Sequence, residues 1–146
     1  MFRFRLKPLQ KIRENVRQER QAELAKALEA EAIVREKLES IQHEIAATKA
    51  DGRKFASGGM VNVDFLIGLR RHEAFLLAQK ADVQNRLEQV LAEVERRRQA
   101  VIEMDKEVKI LEKLHDVQKE KYDAAMTAKE IVSMDEIALQ KRQRMT

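Results

Sequence analysis

The chain has 146 residues, room for a single domain, and 37% of them are charged against only 4% aromatic, with one Pro and four Gly. That balance is too poor in aromatic bulk and turn residues for a compact globule, while 44% hydrophobic content at regular spacing is too rich for a disordered polyampholyte. Both charge signs are numerous and the formal net charge is +4, a solvated helix face rather than a nucleic-acid signature; the absence of Cys excludes disulfides and thiol chemistry.

In chain order, Pro8 is compatible with a first helical turn. The spacing predicts a first helix over about 7–51. A connector follows over about 52–62, holding three of the four glycines. Asn62 or Asp64 can cap a second helix over about 63–144. In that helix Val83, Leu87, Val90, Val94, Arg97, Val101, Met104, Val108 and Leu111 recur in steps of four and three, a heptad seam over about four repeats. The first helix answers with Val34, Leu38, Ile41, Ile45 and Thr48, and nearer its start with Leu9, Ile12 and Val16. Arg20, Leu24, Ala27 and Glu31 form a weaker stretch between them, with Arg20 at a stutter. A helix of about 80 residues does not persist alone in water and needs a partner along its apolar stripe. A short connector favours an antiparallel neighbour. The expected fold is therefore all-α: two long helices forming an antiparallel coiled-coil hairpin, the second helix longer and overhanging at its C-terminal end. The opening MFRFRLKPLQ has no apolar run of signal-peptide length, and no stretch approaches a membrane span; a cytoplasmic protein is expected.

Catalysis finds little support. His43, His72 and His115 have no i,i+4 His partner, so no metal site is expected. There is no nucleophile elbow and no phosphate loop. Carboxylates on an exposed helix lack a pocket to shift their pKa values. The chain reads as a binding protein, not an enzyme, with no cofactor. A basic-region DNA binder does not fit either, because such a region should run unbroken into a parallel zipper.

Two surfaces rise above background. Arg3, Arg5, Lys7, Lys11 and Arg13 crowd the N-terminus, and Lys141, Arg142 and Arg144 the C-terminus. Antiparallel pairing is expected to join them in one basic pole, suited to an acidic partner. The dipole favours cations only at a helix C-terminus, so the N-terminal cluster asks for another reason. The start of the second helix is unusually apolar, with Phe65, Leu69, His72 and Leu76 on one face. Leu66, Ile67 and Leu77 point elsewhere, either under a connector carrying Phe55, Met60 and Val63 or toward a partner.

These residues carry a resemblance. Phe4, Leu6 and Leu9 followed by Ile12-Arg13-Glu14, then Val63-Asp64-Phe65-Leu66 with Leu69, resemble the flagellar export protein FliJ family. The tail is similar as well: Leu111-Glu112-Lys113-Leu114, Glu120-Lys121-Tyr122, Lys129-Glu130 and Met134-Asp135-Glu136-Ile137-Ala138. It departs from the family at Ile131, where Gln is usual. The resemblance implies a stalk and adaptor of the flagellar type III export apparatus, peripheral at the inner face of the cell membrane through its protein partners. Those partners would be the export ATPase ring (FliI-like), the membrane export gate protein (FlhA-like) and export chaperones. By position, the gate contact would fall on Phe65, Leu69, His72 and Leu76. The ATPase contact would fall on the basic end formed by Arg3, Arg5, Lys7, Lys11, Arg13, Lys141, Arg142 and Arg144. A generic coiled-coil scaffold, or the stalk of a non-flagellar secretion system or another rotary ATPase, is the alternative.

Overall fold

A computed structural model describes residues 1–59 and 62–145. It contains two helices packed against each other, α1 (Lys7–Ser57, 51 residues) and α2 (Val63–Met145, 83 residues), and no strand among the described residues. Asn62 caps α2 as expected: its side-chain oxygen accepts from the Asp64 N–H at 3.1 Å, meeting one of the donors that a helix start leaves open.

α1 runs six residues past the expected stop. Gly52 does not break it, and what holds the extra turn and a half is tertiary. The Phe55 ring packs on Phe65 with centroids 4.4 Å apart, and Leu69 lies in van der Waals reach of where a Gly52 side chain would be. The helix ends where Ser57 donates to the Lys54 carbonyl at 3.0 Å and the Gly58 N–H donates to that of Phe55 at 3.3 Å. Gly59 then turns at φ +80°, a conformation that side-chain-bearing residues rarely adopt. A Cβ on Gly52 would meet only Leu69 Cδ1, at an ordinary 4.0 Å. Gly52→Ala should therefore raise the unfolding free energy by about 0.5–1 kcal/mol, from helix propensity alone. Denaturant titration checks it, and a loss of stability would mean that the α1 extension is strained.

The chain divides into two compact units. In the unit Arg20–Val101, the two helices run antiparallel. The contacts show it: Phe55 meets Phe65, Lys49 Nζ stands 4.0 Å from the Glu73 carboxylate, and Arg97 reaches Glu23. The core is Ile41, Ile45, Leu76 and Val83, with Val34 and Leu38 packed on it. Thr48, the one polar residue buried here, donates its hydroxyl to the Glu44 carbonyl at 2.8 Å. Arg97 occupies a seam position without being left unsatisfied. Its Nε donates to Glu93 at 2.8 Å, and its Nη1 crosses to the Glu23 carbonyl at 2.6 Å. A polar residue in a seam fixes register at some loss of stability, and this contact is specific to one alignment of the helices.

In the unit Met1–Glu19 and Ile102–Thr146, the pairing is again antiparallel. Arg13 bonds Glu107 at 2.9 Å and Arg17 bonds Asp105 at 3.3 Å. Val108, with 0% of its surface exposed, and Leu111 are the buried members from α2. On the α1 side the expected Leu9 and Ile12 are not in the interface; both are exposed. Of the expected trio Val16 alone is half-buried, together with Gln10, Arg13, Glu14 and Arg17. The two ion pairs and the long aliphatic stems of their arginines flank Val16 in place of the expected Leu9 and Ile12. Arg20, expected near the seam, is exposed and pairs with Glu23 on its own helix.

Asp105 sits between two cations. The hydrogen bond from Lys109 acts first, and the pairing with Arg17 adds to it; together they hold its carboxyl below the ordinary 3.8 despite an opposing desolvation. A depressed carboxyl pKa contributes stability that is complete above the unfolded value and disappears as pH falls through the folded one. The wild-type chain should thus lose a stabilising increment below about pH 4. Asp105→Asn should flatten that part of the stability–pH curve, and identical curves for the two proteins would remove the assignment.

Candidate partner-binding surfaces

The first surface lies at the chain start. Residues 1–6 precede α1 and fold back on α2 through aromatic contacts. Phe2 packs on His115 and on Tyr122, both with centroids 5.5 Å apart, and Phe4 meets the His115 ring edge-on at 5.1 Å. Phe4 is buried. His115 is held between the two phenylalanines, with Nδ1 3.2 Å from the Asp116 carboxylate. This clasp uses three of the six Phe and Tyr residues in the chain, and sequence reasoning did not find it. The available signal was the Phe-Arg-Phe-Arg alternation of residues 2–5. It places both rings on one side of an extended segment and both arginines on the other.

The clasp shapes an open groove of about 650 Å³, lined by Phe2, Arg3, Phe4, Lys7, Pro8, Gln10, Lys11 and His115. Arg3, Lys7 and Lys11 rim it. None of these three, nor Arg5, forms an ion pair within the described residues, whereas Arg13 is committed to Glu107. α1 starts at Lys7 with no acidic residue in its first turn. The Lys7 and Gln10 N–H groups bond to the Phe4 and Leu6 carbonyls and Pro8 has none, so it is the positive end of the dipole and the three cations that coincide here without internal compensation.

Lys141, Arg142 and Arg144 do not join this cluster. The N-terminal residues reach α2 at His115 and Tyr122, and α2 continues to Met145. At 1.5 Å per residue, Lys141 lies about 30 Å farther along the helix than Tyr122. The expected single basic pole is two separate basic patches, because the overhang carries the C-terminal cations away. Every described residue of that overhang after Tyr122 is exposed, among them Ile131, Val132, Met134, Ile137 and Leu139.

The second surface lies at the start of α2. Of the four residues expected on one face, Phe65 is 46% exposed although its ring leans on Phe55, His72 is exposed and Leu69 is half-buried. Leu76 is 1% exposed and sits in the core with Ile41 and Ile45. That face turns inward along its length, from open at Phe65 to sealed at Leu76. Met60, one of the residues considered as cover for the apolar start of α2, lies outside the described residues. Val63, Ile67, Phe75 and Leu77 are all exposed.

His43 is exposed, 3.7 Å from Glu39 on its own helix. Among the described residues there is no cluster of His, Asp and Glu able to hold a metal ion, and no helix long and apolar enough to cross a membrane.

A family model described as "Flagellar FliJ protein" matches residues 1–145. Neither curated proteins nor solved structures give a match to the chain.

Proposed function

The chain belongs to the flagellar FliJ family, and from that membership we propose that it is a stalk and adaptor of the flagellar type III export apparatus, working at the cytoplasmic face of the membrane. In this reading it activates the export ATPase ring by contact and catalyses nothing itself. The observation that supports the ATPase contact is the uncompensated basic groove: Arg3, Arg5, Lys7 and Lys11 have no acidic partner within the described chain, at a helix start that itself favours anions. Acidic loops lining a ring would supply the missing charge, and at a wet rim such pairs form with little desolvation. Lys141, Arg142 and Arg144 are a second basic contact farther along α2, and Arg13 holds α1 in place through Glu107 rather than meeting the ring.

The gate contact is assigned to Phe65, Leu69 and His72, with Leu76 anchoring the helix beneath them. Export chaperones would take the overhang of α2, whose apolar side chains Ile131, Val132, Met134, Ile137 and Leu139 are exposed. The deciding experiment is the ATP hydrolysis rate of the export ATPase with and without this protein, together with co-sedimentation of the two. Activation with complex formation is expected. A complex-free mixture with an unchanged rate would return the chain to the generic scaffold reading.

A further inference from the structure

α2 carries a second heptad stripe that none of the described residues covers. Val63, Ile67, Arg70, Ala74, Leu77 and Ala81 follow one another in steps of four, three, four, three and four, the rhythm of a coiled-coil seam. The seam that packs on α1 uses Leu69, Leu76 and Val83, which are half-buried or buried, whereas all six stripe residues are exposed. Val63 is 63% exposed, Ile67 46% and Leu77 47%. The stripe thus runs on the side of α2 turned away from α1, and it stops after Ala81, where Gln84 and Glu88 take the next positions in the rhythm.

We propose that this stripe docks an α-helix from another protein, one that presents apolar side chains flanked by carboxylates. Three features fix that chemistry. The heptad spacing matches a helix laid alongside α2, and the small Ala74 and Ala81 leave holes between the larger side chains for incoming knobs. Arg70 lies within the stripe and Arg71 beside it, and neither has an ion-pair partner among the described residues. The stripe itself contains no carboxylate; Asp64 and Asp82, about five turns apart on the same side of α2, stand only at its two ends, away from Arg70 and Arg71. A second copy of this chain would therefore bring guanidinium groups to guanidinium groups, whereas an acidic helix compensates them. The surface lies wholly within the unit Arg20–Val101. It is separate from the basic groove, so it stands or falls independently of the ATPase contact.

The probe is a side-chain-stapled helical peptide of three heptads, with leucine on the contact positions and glutamate on the flanking ones, labelled for fluorescence anisotropy and titrated with the full chain. Saturable binding is expected, weaker by about tenfold for the same peptide with lysine in place of glutamate. Ile67→Ser with Leu77→Ser should abolish binding while leaving the circular dichroism unchanged. Arg70→Glu, which removes no core contact, should invert the preference toward the lysine peptide. Equal affinity of the two peptides, or binding unaffected by Arg70→Glu, would overturn the proposal. So would sedimentation showing that the stripe instead mediates self-association sensitive to Ile67→Ser. Binding of anionic vesicles through the same residues, with no peptide binding, would assign the stripe to a membrane surface and likewise overturn it.

Discussion

Leu76→Ala should lower the unfolding free energy by about 2–4 kcal/mol, the usual loss for truncating a fully buried leucine, whereas Leu77→Ala one residue later should change it by less than about 0.5 kcal/mol. Leu76 is 1% exposed against Ile41, Ile45 and Val83; Leu77, about 100° round the same helix, is 47% exposed. The two substitutions remove the same atoms from the same helix with the same change in propensity. Their difference isolates the burial and cavity contributions from everything else. Urea titration followed by circular dichroism measures both, and equal losses would mean that the phase of α2 against α1 is not the one described. The pair also bears on the gate contact. If Leu76 acts only from beneath, Leu76→Ala should weaken gate binding in proportion to lost helix. Phe65→Ala should weaken it with the helix content retained.

Reversing three cations of the basic groove, Arg3→Glu with Lys7→Glu and Lys11→Glu, should weaken the complex with the export ATPase by roughly 2–3 kcal/mol. That follows from about 1 kcal/mol for each wet pair turned from attraction to repulsion, or close to a hundredfold in affinity. Stimulation of hydrolysis should fall with it at a fixed concentration of the chain. The same substitutions should not harm the fold. Lys7 opens α1, where the dipole favours a carboxylate by about 0.3–1 kcal/mol, and the native first turn holds no acid. Stability is expected to stay level or rise while binding falls. Opposite signs in the two measurements are the mark of a surface kept basic for a partner. Binding that survives the triple reversal would move the ATPase contact elsewhere, and Lys141→Glu with Arg144→Glu would then test the overhang. Because those residues lie about 30 Å farther along α2 than Tyr122, where the N-terminal segment ends its contact, the two variants report on different basic patches.

Both helices, their antiparallel pairing and the longer second helix follow from sequence alone. Every seam residue named in α2 from Val83 to Leu111 is buried or half-buried, because a sustained alternation of fours and threes leaves a helix one face to bury. The start of α2 was legible for a local reason too: Asn62 has the short acceptor that a helix start needs. The family resemblance was legible in the order of the motifs along the chain. Tertiary structure decided the rest. α1 continues through Gly52 because Phe55 finds Phe65, a contact between residues on different helices that no local propensity contains. Leu9 and Ile12 are in step yet exposed, while Val16 of the same rhythm is half-buried beside Arg13 and Arg17, which pair with Glu107 and Asp105. The basic termini are parted because the overhang length depends on where the N-terminal clasp grips α2, and that point was fixed by Phe2 and Phe4 closing on His115 and Tyr122. Periodicity reports which face of a helix is apolar. Which of two such faces meets the neighbour, and at what register, is settled only by the contacts between helices, and so the stripe from Val63 to Ala81 could be told from the seam only once Leu76 was seen to be buried.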